Sequence, residues 1–227
     1  MGFEGFADDG AKFWKALAKH NERSWFLAHK TEYEEGWNAP MKALLADVAK
    51  GIDRAFPRCD LGEPRVFRVF RDVRFAKDKS PYKTHAAGFI PVARTGKKTT
   101  DVPFALYFHI GATERFGAAG HYIMDTDSLS RFRLAVEDDA RGMELEKILA
   151  KLAKRGYVAD AHEGFKRVPK GFDPEHPRAE LLKRKGLTVR FPDVPKGILT
   201  SPRLVKWLID ATKMSAPLVE WLVYATA

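Results

Sequence analysis

The chain of 227 residues contains a single cysteine, Cys59. One thiol cannot form an internal disulfide or a thiolate zinc site, and scarce cysteine is typical of proteins from reducing compartments. No apolar run approaches the roughly 20 residues that span a bilayer. The first residues also lack the basic and apolar regions of a secretory signal. We therefore expect a cytoplasmic protein with no membrane partner.

Several motifs that mark known chemistry are also missing. The sequence has no G-x-x-x-x-G-K-[ST] phosphate loop, no G-x-G-x-x-G dinucleotide turn and no H-E-x-x-H metal motif. It also lacks the G-x-S-x-G turn that carries the nucleophile of many hydrolases. These absences argue against the common nucleotide hydrolases, dinucleotide enzymes, zinc proteases and serine hydrolases. The sequence indicates no metal site, no particular cofactor and no oligomeric state.

The net charge of +9 is unevenly distributed. Residues 65–85 contain seven cations and two carboxylates, and residues 164–190 contain eight cations and three carboxylates. If the fold brings these two segments together, they would form a positive zone that attracts phosphate groups. The alternative is that both are solvated surfaces that only aid solubility.

Hydrophobic periodicity separates the chain into helical ends and a central β region. Apolar residues recur with helical spacing over residues 8–20, 41–57, 127–152 and 201–224. Alternation and β-branched or aromatic residues predict strands over residues 65–75, 85–92, 104–110, 117–124 and 187–191. Because short connections join most of these strands, antiparallel pairing is expected. We predict one α+β domain over residues 1–227, with an antiparallel sheet of about four or five strands packed against N- and C-terminal helices.

Local signals refine the helical ends. Asn21 has the side chain of a favoured N-cap and is predicted to begin the second helix. Gly36 and Pro40 should interrupt that helix, and Pro217 should open or kink the last one.

The stretch from Arg71 to Lys83 holds five cations, two carboxylates and two aromatic rings. Since Phe67 and Val69 share strand parity with Arg71, we expect the strand to carry this charge towards the core. A charge near a core is costly unless it is paired or hydrogen-bonded, and an anionic ligand is one compensating partner. The candidate anion ligands are Arg71, Arg74, Lys77, Lys79 and Lys83, with Tyr82 as a stacking or hydrogen-bonding partner. Alternatively, Asp72, Asp78 or helix carboxylates pair with the arginines, which then only pin the sheet to the helices.

Tyr107 and His109 share the polar face of a strand whose other face is apolar. Such a face can line a cleft, where Tyr107 could stack or donate a hydrogen bond. His109 is the candidate catalytic residue because histidine moves protons near neutral pH. The alternative is a hydrogen-bonded structural histidine.

Residues 166–177 form a second basic element that contains three prolines. Prolines make a loop rigid, so little entropy remains to be lost on binding. Lys166, Arg167 and Lys170 could close over an anion held by the first basic segment. The alternative is an ordered connector whose Phe172 packs into the core.

At these motifs the chain resembles the bacterial family catalogued as domain of unknown function 2461, over nearly its whole length. The matching residues are Phe3-x-Gly5-Phe6, Asn21-x-Arg23-x-Trp25-Phe26, Tyr33 with Pro40-Met41, the run from Arg71 to Thr84, Lys166-Arg167-x-Pro169-Lys170-Gly171-Phe172 with His176-Pro177, and Pro217-Leu218. The segment Gly120–Met124 departs from the family pattern because it lacks a proline. The resemblance implies a single cytoplasmic domain and assigns no activity, substrate or catalytic residue.

Three functions remain open from the sequence. The leading hypothesis is a pocket that binds a phosphate- or carboxylate-bearing small molecule or nucleotide, with or without catalysis. The second is a nucleic-acid-binding module, because a pI near 9.6 and aromatic residues among cations are compatible with it. The third is a structural or interaction protein without a ligand, in which protein carboxylates pair with the cations.

Overall fold

A computed structural model describes residues 2–74, 77–96 and 102–226. Within them, one sheet contains β1 (Cys59–Leu61), β2 (Arg65–Val66), β3 (His85–Arg94), β4 (Phe104–Gly111), β5 (Arg115–His121), β6 (Val158–Asp160) and β7 (Leu187–Arg190). The strand order is β1-β3-β4-β5-β7-β6, β2 also pairs with β3, and all pairings are antiparallel. The predicted α+β fold with an antiparallel sheet is confirmed. The described sheet has more strands than expected because β1 and β6 are too short to show a clear alternation.

Helices precede and follow the central strands. They are α1 (Lys12–Lys19), α2 (Arg23–Ala28), α3 (Lys30–Tyr33), α4 (Ala39–Ile52), α5 (Thr126–Glu137), α6 (Asp139–Ala153), α7 (Ala179–Leu182) and α8 (Arg203–Thr226). The predicted interruption near Gly36 and Pro40 is a π-helical turn, Glu34–Asn38, between α3 and α4. Pro217 lies inside α8, which continues through it. Among the described residues, no helix has both the length and the apolar character needed to cross a membrane.

The core lies between one face of the sheet and the long helices. Ile90, Leu106 and Phe108 alternate along β3 and β4 and are completely buried. Gly88 allows α4 to approach this face closely, because a Cβ atom at that position would lie 2.5 Å from Leu45 Cδ1 and 2.7 Å from the Arg65 carbonyl oxygen. The core therefore positions β3 and β4 and leaves their alternate side chains on the opposite face.

The predicted strand over residues 65–75 is mostly not a strand. Pairing with β3 ends after Val66 apart from one backbone hydrogen bond from Phe67, and Phe70 forms only an isolated bridge with Tyr82. The reason is the spacing of the cations. Arginine recurs at every third position from Arg65 to Arg74, so neither face of an extended strand would be free of charge. Val69 is buried, whereas Phe67 is 42% exposed and Phe70 is 54% exposed. The expectation that a strand carries Arg71 towards the core is therefore wrong.

Candidate functional site

The face of the sheet opposite the core carries a row of side chains from four strands. Phe89 on β3 is paired with Tyr107 on β4, Tyr107 with Ala118 on β5, and Ala118 with Arg190 on β7. Directly paired residues project their side chains to the same face. The register therefore brings Tyr107 and Arg190 onto one surface, which we call the outer face.

Aromatic rings cover much of the outer face. The ring of Phe67 stacks on Phe89 with centroids 5.3 Å apart and lies 6.3 Å from the ring of Tyr107. On the next row, His109 stacks on Phe116 at 5.1 Å. We call these five side chains the aromatic floor. Phe89, Tyr107 and Phe116 are only partly buried, so the floor offers ring surfaces to solvent.

A cation lies at each end of the aromatic floor. Lys83 Nζ lies 5.1 Å from the centroid of the Phe67 ring, and the guanidinium carbon of Arg190 lies 4.4 Å from that of Phe116. Burial lowers the pKa of Lys83, and the nearby charge of Arg68 lowers it further. Arg190 forms a long ion pair with the Glu114 carboxylate, with 3.6 Å between the nitrogen and the oxygen. Both cations retain donors that an anion on the outer face could use.

Two histidines contact each other beside Tyr107, with their rings tilted by 31°. The rings of His85 and His109 have centroids 4.2 Å apart, and Tyr107 Oη shares a 3.1 Å hydrogen bond with His109 Nδ1. Burial lowers the pKa of each histidine to about 4, assisted by the charge of Arg190 at His109 and by the partner ring and Lys83 at His85. Burial also raises the pKa of Tyr107 to about 12. At neutral pH all three rings are therefore uncharged, and the Tyr107 hydroxyl keeps its proton.

The structure thus brings together three of the residues named from sequence, namely Lys83, Tyr107 and His109. It adds Arg190 and Phe116, which sequence reasoning did not select, and gives His85 a direct ring contact. The sequence does not reveal the register between the strands, and this register decides that Arg190 and Phe116 belong to the site. Parity predicts that Tyr107 and His109 share a face, but it does not say which residue of a strand distant in sequence lies beside them.

The loop after β2 pairs its own charges. The Arg71 guanidinium donates to Asp78 Oδ2, and the Arg74 guanidinium makes two hydrogen bonds to Asp72, at 3.0 and 2.7 Å. Lys79 Nζ donates to the Val73 carbonyl at 2.9 Å. Hydrogen bonds from Ser80 and Arg71 hold the pKa of Asp78 well below its usual range. Pairing of the arginines with aspartates is what the ligand-free alternative requires. These side chains are nevertheless at the surface, and Lys77 beside them is exposed.

Tyr82 belongs to the core rather than to the outer face. Its ring is 3% exposed, stacks on Phe26 at 4.2 Å and lies 5.5 Å from Phe70. The predicted ligand contact through this ring needs an exposed face that the ring does not have. Phe75, in the same basic stretch, lies outside the described residues.

The second basic segment forms a surface loop after β6. Lys166, Arg167 and Lys170 are exposed, whereas Phe172 packs partly buried against the core, as the connector alternative expects. The start of the loop reaches the corner of the sheet, where His162 stacks on Tyr122 with centroids 4.5 Å apart. Among the described residues, no hydrogen bond or ion pair joins these three cations to the first basic segment.

A cavity of about 330 Å³ lies at the turn between β4 and β5. Its charged lining residues are Asp9, Lys15, Glu114 and Arg115, and Asp9 pairs with Arg115 at 3.3 Å. It includes none of the residues predicted from sequence. Since its charges are balanced and partly paired, it is a weaker candidate for an anionic ligand than the outer face.

One family model matches most of the chain. The family model described as "Conserved hypothetical protein (DUF2461)" matches residues 9–221. A comparison with curated proteins gives no match.

Proposed function

The chain belongs to the DUF2461 family, whose description names no activity, and we propose that it binds a phosphate- or carboxylate-bearing small molecule of the nucleotide type on the outer face. The observation that carries this proposal is the aromatic floor with a cation over a ring at each end, Lys83 over Phe67 and Arg190 over Phe116. Rings supply stacking area, and cations supply charge-assisted hydrogen bonds to an anion.

The dimensions of the outer face support a ligand of this size. From Phe89 to Arg190 the row spans three strand spacings, about 14 Å in total. A planar base or similar ring would stack near Phe67 and Phe89. Its anionic group would bind Lys83 or Arg190, and the Tyr107 hydroxyl would hydrogen-bond to a polar atom between them.

The proposal is one of binding, with His109 as a positioning residue. General acid–base catalysis is most effective when the pKa of the group lies near the working pH. The pKa of His109 is lowered to about 4, and the side chain is only 8% exposed. A neutral His109 is well suited to hold the Tyr107 hydroxyl through Nδ1 and poorly suited to accept a proton from a substrate. The cations of the first basic loop, together with Lys166, Arg167 and Lys170, would attract the anion from the edge of the outer face.

Calorimetric titration tests the proposal with AMP, ADP, ATP and a set of aromatic carboxylates as probes. We expect at least one of them to bind, and Lys83→Met to weaken that binding about tenfold, because a charge-assisted hydrogen bond is lost. Lys206→Met is the matched control, since Lys206 is an exposed lysine of α8 paired with Asp210 at 2.7 Å. If no probe binds, or if both variants bind as the parent does, the proposal is wrong.

A second candidate is binding of single-stranded nucleic acid. It is favoured by the openness of the outer face and by the exposed pair Tyr122–His162 at the sheet corner, which could stack further bases. An oligonucleotide would then bind more tightly than a mononucleotide. The logarithm of its binding constant would fall linearly with the logarithm of the salt concentration, with a slope near the number of phosphates neutralised. A flat salt response would eliminate this candidate.

A further inference from the structure

The cavity at the turn between β4 and β5 is lined by charged residues from two separate parts of the chain. Asp9 and Lys15 belong to the segment before α1 and to α1 itself, whereas Glu114 and Arg115 belong to the turn and to the start of β5. Its volume of about 330 Å³ is at the lower end of the range found for small-molecule sites. We call this space the α1 cavity.

Hydrogen bonds hold the two walls of the α1 cavity. Arg115 Nη1 donates to the Asp9 carbonyl oxygen at 2.8 Å and lies 3.3 Å from Asp9 Oδ1, so this arginine joins one wall to the other. The Gly197 N–H donates to Asp9 Oδ2 at 3.0 Å, and the Gly111 N–H donates to the Glu114 carbonyl oxygen at 2.8 Å. The main chain that carries the charged groups is therefore fixed by contacts within the protein.

The backbone is strained at the same wall. Ala11, which lines the cavity, has a φ of 52° and a ψ of 42°. Among the residues that the structure describes, it is the single non-glycine residue with a positive φ. This left-handed conformation is unfavourable for alanine, and strained residues of this kind cluster at binding and catalytic sites.

The charged groups of the α1 cavity can be reached from solvent and keep hydrogen-bonding capacity. Lys15 is exposed, and no carboxylate among the described residues forms an ion pair with it. The Glu114 side chain is 48% exposed, and its contact with Arg190 is a long ion pair of 3.6 Å without a hydrogen bond. The Arg115 side chain is 32% exposed despite its contact with Asp9. Both a donor pair and an acceptor are therefore accessible to a small ligand.

We propose that the α1 cavity binds a small zwitterionic amino acid, of the size of glycine or alanine. Its two cations and two carboxylates leave no excess charge for an anion, but they provide a partner for each charge of a zwitterion. The ligand carboxylate would bind Lys15 and Arg115, and the ligand ammonium group would bind Glu114. Ile110 and Leu199 also adjoin the cavity but are completely buried, so a large apolar side chain would find no surface to contact.

This site is independent of the proposed function. It shares no residue with the aromatic floor, and its ligand is neutral overall, whereas the outer face is proposed to bind an anion. The nearest link between the two is the long ion pair of Glu114 with Arg190.

NMR titration of the full-length protein tests this site directly. Glycine and L-alanine are added separately at constant pH and ionic strength, and the amide resonances of Gly10, Gly111 and Thr113, which line the cavity, should shift with saturation for at least one of them. Each amino acid is compared with the two compounds that lack one of its charges, namely acetate and methylamine for glycine, and propionate and ethylamine for alanine. Each of these analogues should bind about tenfold more weakly, because one charge-assisted contact is lost.

Two variants assign the contacts. Lys15→Met should weaken binding of the amino acid about tenfold, because the ligand carboxylate loses a charged donor. Lys19→Met is the matched control, since Lys19 is an exposed lysine one turn further along α1 and is not part of the cavity lining. Glu114→Gln should reduce the preference for the amino acid over the analogue that lacks the ammonium group, which a general loss of stability would not do.

The remaining comparisons separate the two sites and decide the proposal. Lys83→Met should leave binding in the α1 cavity unchanged, because Lys83 lies on the outer face. Shifts that do not saturate, equal binding of an amino acid and its single-charge analogues, or equal affinities in Lys15→Met and Lys19→Met would each overturn the proposal.

Discussion

The side-chain amide of Asn21 binds both backbone polar groups of Tyr82. Asn21 Nδ2 donates to the Tyr82 carbonyl at 2.9 Å, and Oδ1 accepts from the Tyr82 N–H at 3.0 Å. This pair joins the loop before α2 to the segment that leads into β3. It also replaces the predicted role of Asn21, because the N-cap of α2 is Glu22. A residue type favoured at caps is here used for a tertiary contact, which a local propensity cannot reveal.

Asn21→Ala should therefore destabilise the protein more than the loss of an ordinary surface amide. The change removes two hydrogen bonds and leaves partly buried backbone groups of Tyr82 unpaired, so we expect a loss of about 2 to 3 kcal/mol in the free energy of unfolding. Urea denaturation measures it. Asn38→Ala is the control, since among the described residues the Asn38 side chain bonds only to the Glu34 side chain one helical turn away. Equal losses in the two variants would show that the contact with Tyr82 contributes little.

Gly88→Ala should loosen the contact between α4 and the sheet. The added Cβ would lie 2.5 Å from Leu45 Cδ1 and 2.7 Å from the Arg65 carbonyl oxygen, and the backbone atom cannot move without disturbing the pairing of β2 with β3. We expect a loss of about 1 to 3 kcal/mol, as for other overpacked cores. Gly164→Ala is the comparison, because its new Cβ would meet only the Lys183 carbonyl oxygen, at 3.4 Å. Thermal unfolding midpoints that fall equally in both would contradict the expectation.

Strands with a clean two-residue alternation were predictable, and strands defined by their partners were not. Along β4, Leu106 and Phe108 are buried in the core while Tyr107 lies on the opposite face, as the pattern indicates. In contrast, β6 has three exposed residues and exists because it pairs with β7. Such strands are stabilised by hydrogen bonds to a neighbour, and these leave no signature in side-chain type.

The same division holds for the candidate site: residues that follow from a local pattern were predictable, and contacts between distant strands were not. Tyr107 and His109 follow from parity, and Lys83 follows from its place in the basic stretch. The contact of Arg190 with Phe116 requires the register of β5 with β7, which is set by long-range packing. The internal pairing of Arg71 with Asp78 requires the conformation of a loop, so the sequence left it open as an alternative.

Arg178 should contribute more to stability than the arginines of the first basic loop. Its guanidinium is buried and donates to the Val136 carbonyl at 2.7 Å, the Glu137 carbonyl at 3.2 Å and Asp139 Oδ1 at 2.9 Å. Arg178→Met should cost about 1 to 3 kcal/mol, because the buried Val136 carbonyl loses its charged donor. Arg74→Met, which removes an exposed pair with Asp72, should cost much less, because solvent screens the pair. Similar urea midpoints for the two variants would refute this ranking.

The neighbouring histidines His85 and His109 should make the folded state sensitive to mild acid. The pKa values of His85 and His109 are lowered to about 4, whereas an unfolded histidine titrates near its usual 6.5. As the pH falls from 6.5 towards 4, the unfolded chain binds protons that the folded chain does not, so the free energy of unfolding decreases through this window and levels off below it. Urea unfolding at pH 7 and pH 5 measures the difference.

His109→Gln should reduce that difference by removing one titrating ring and its effect on the other. His162→Gln, at an exposed histidine stacked on Tyr122, should leave the difference as in the parent. A pH dependence that is unchanged in His109→Gln would mean that the buried pair does not control acid stability.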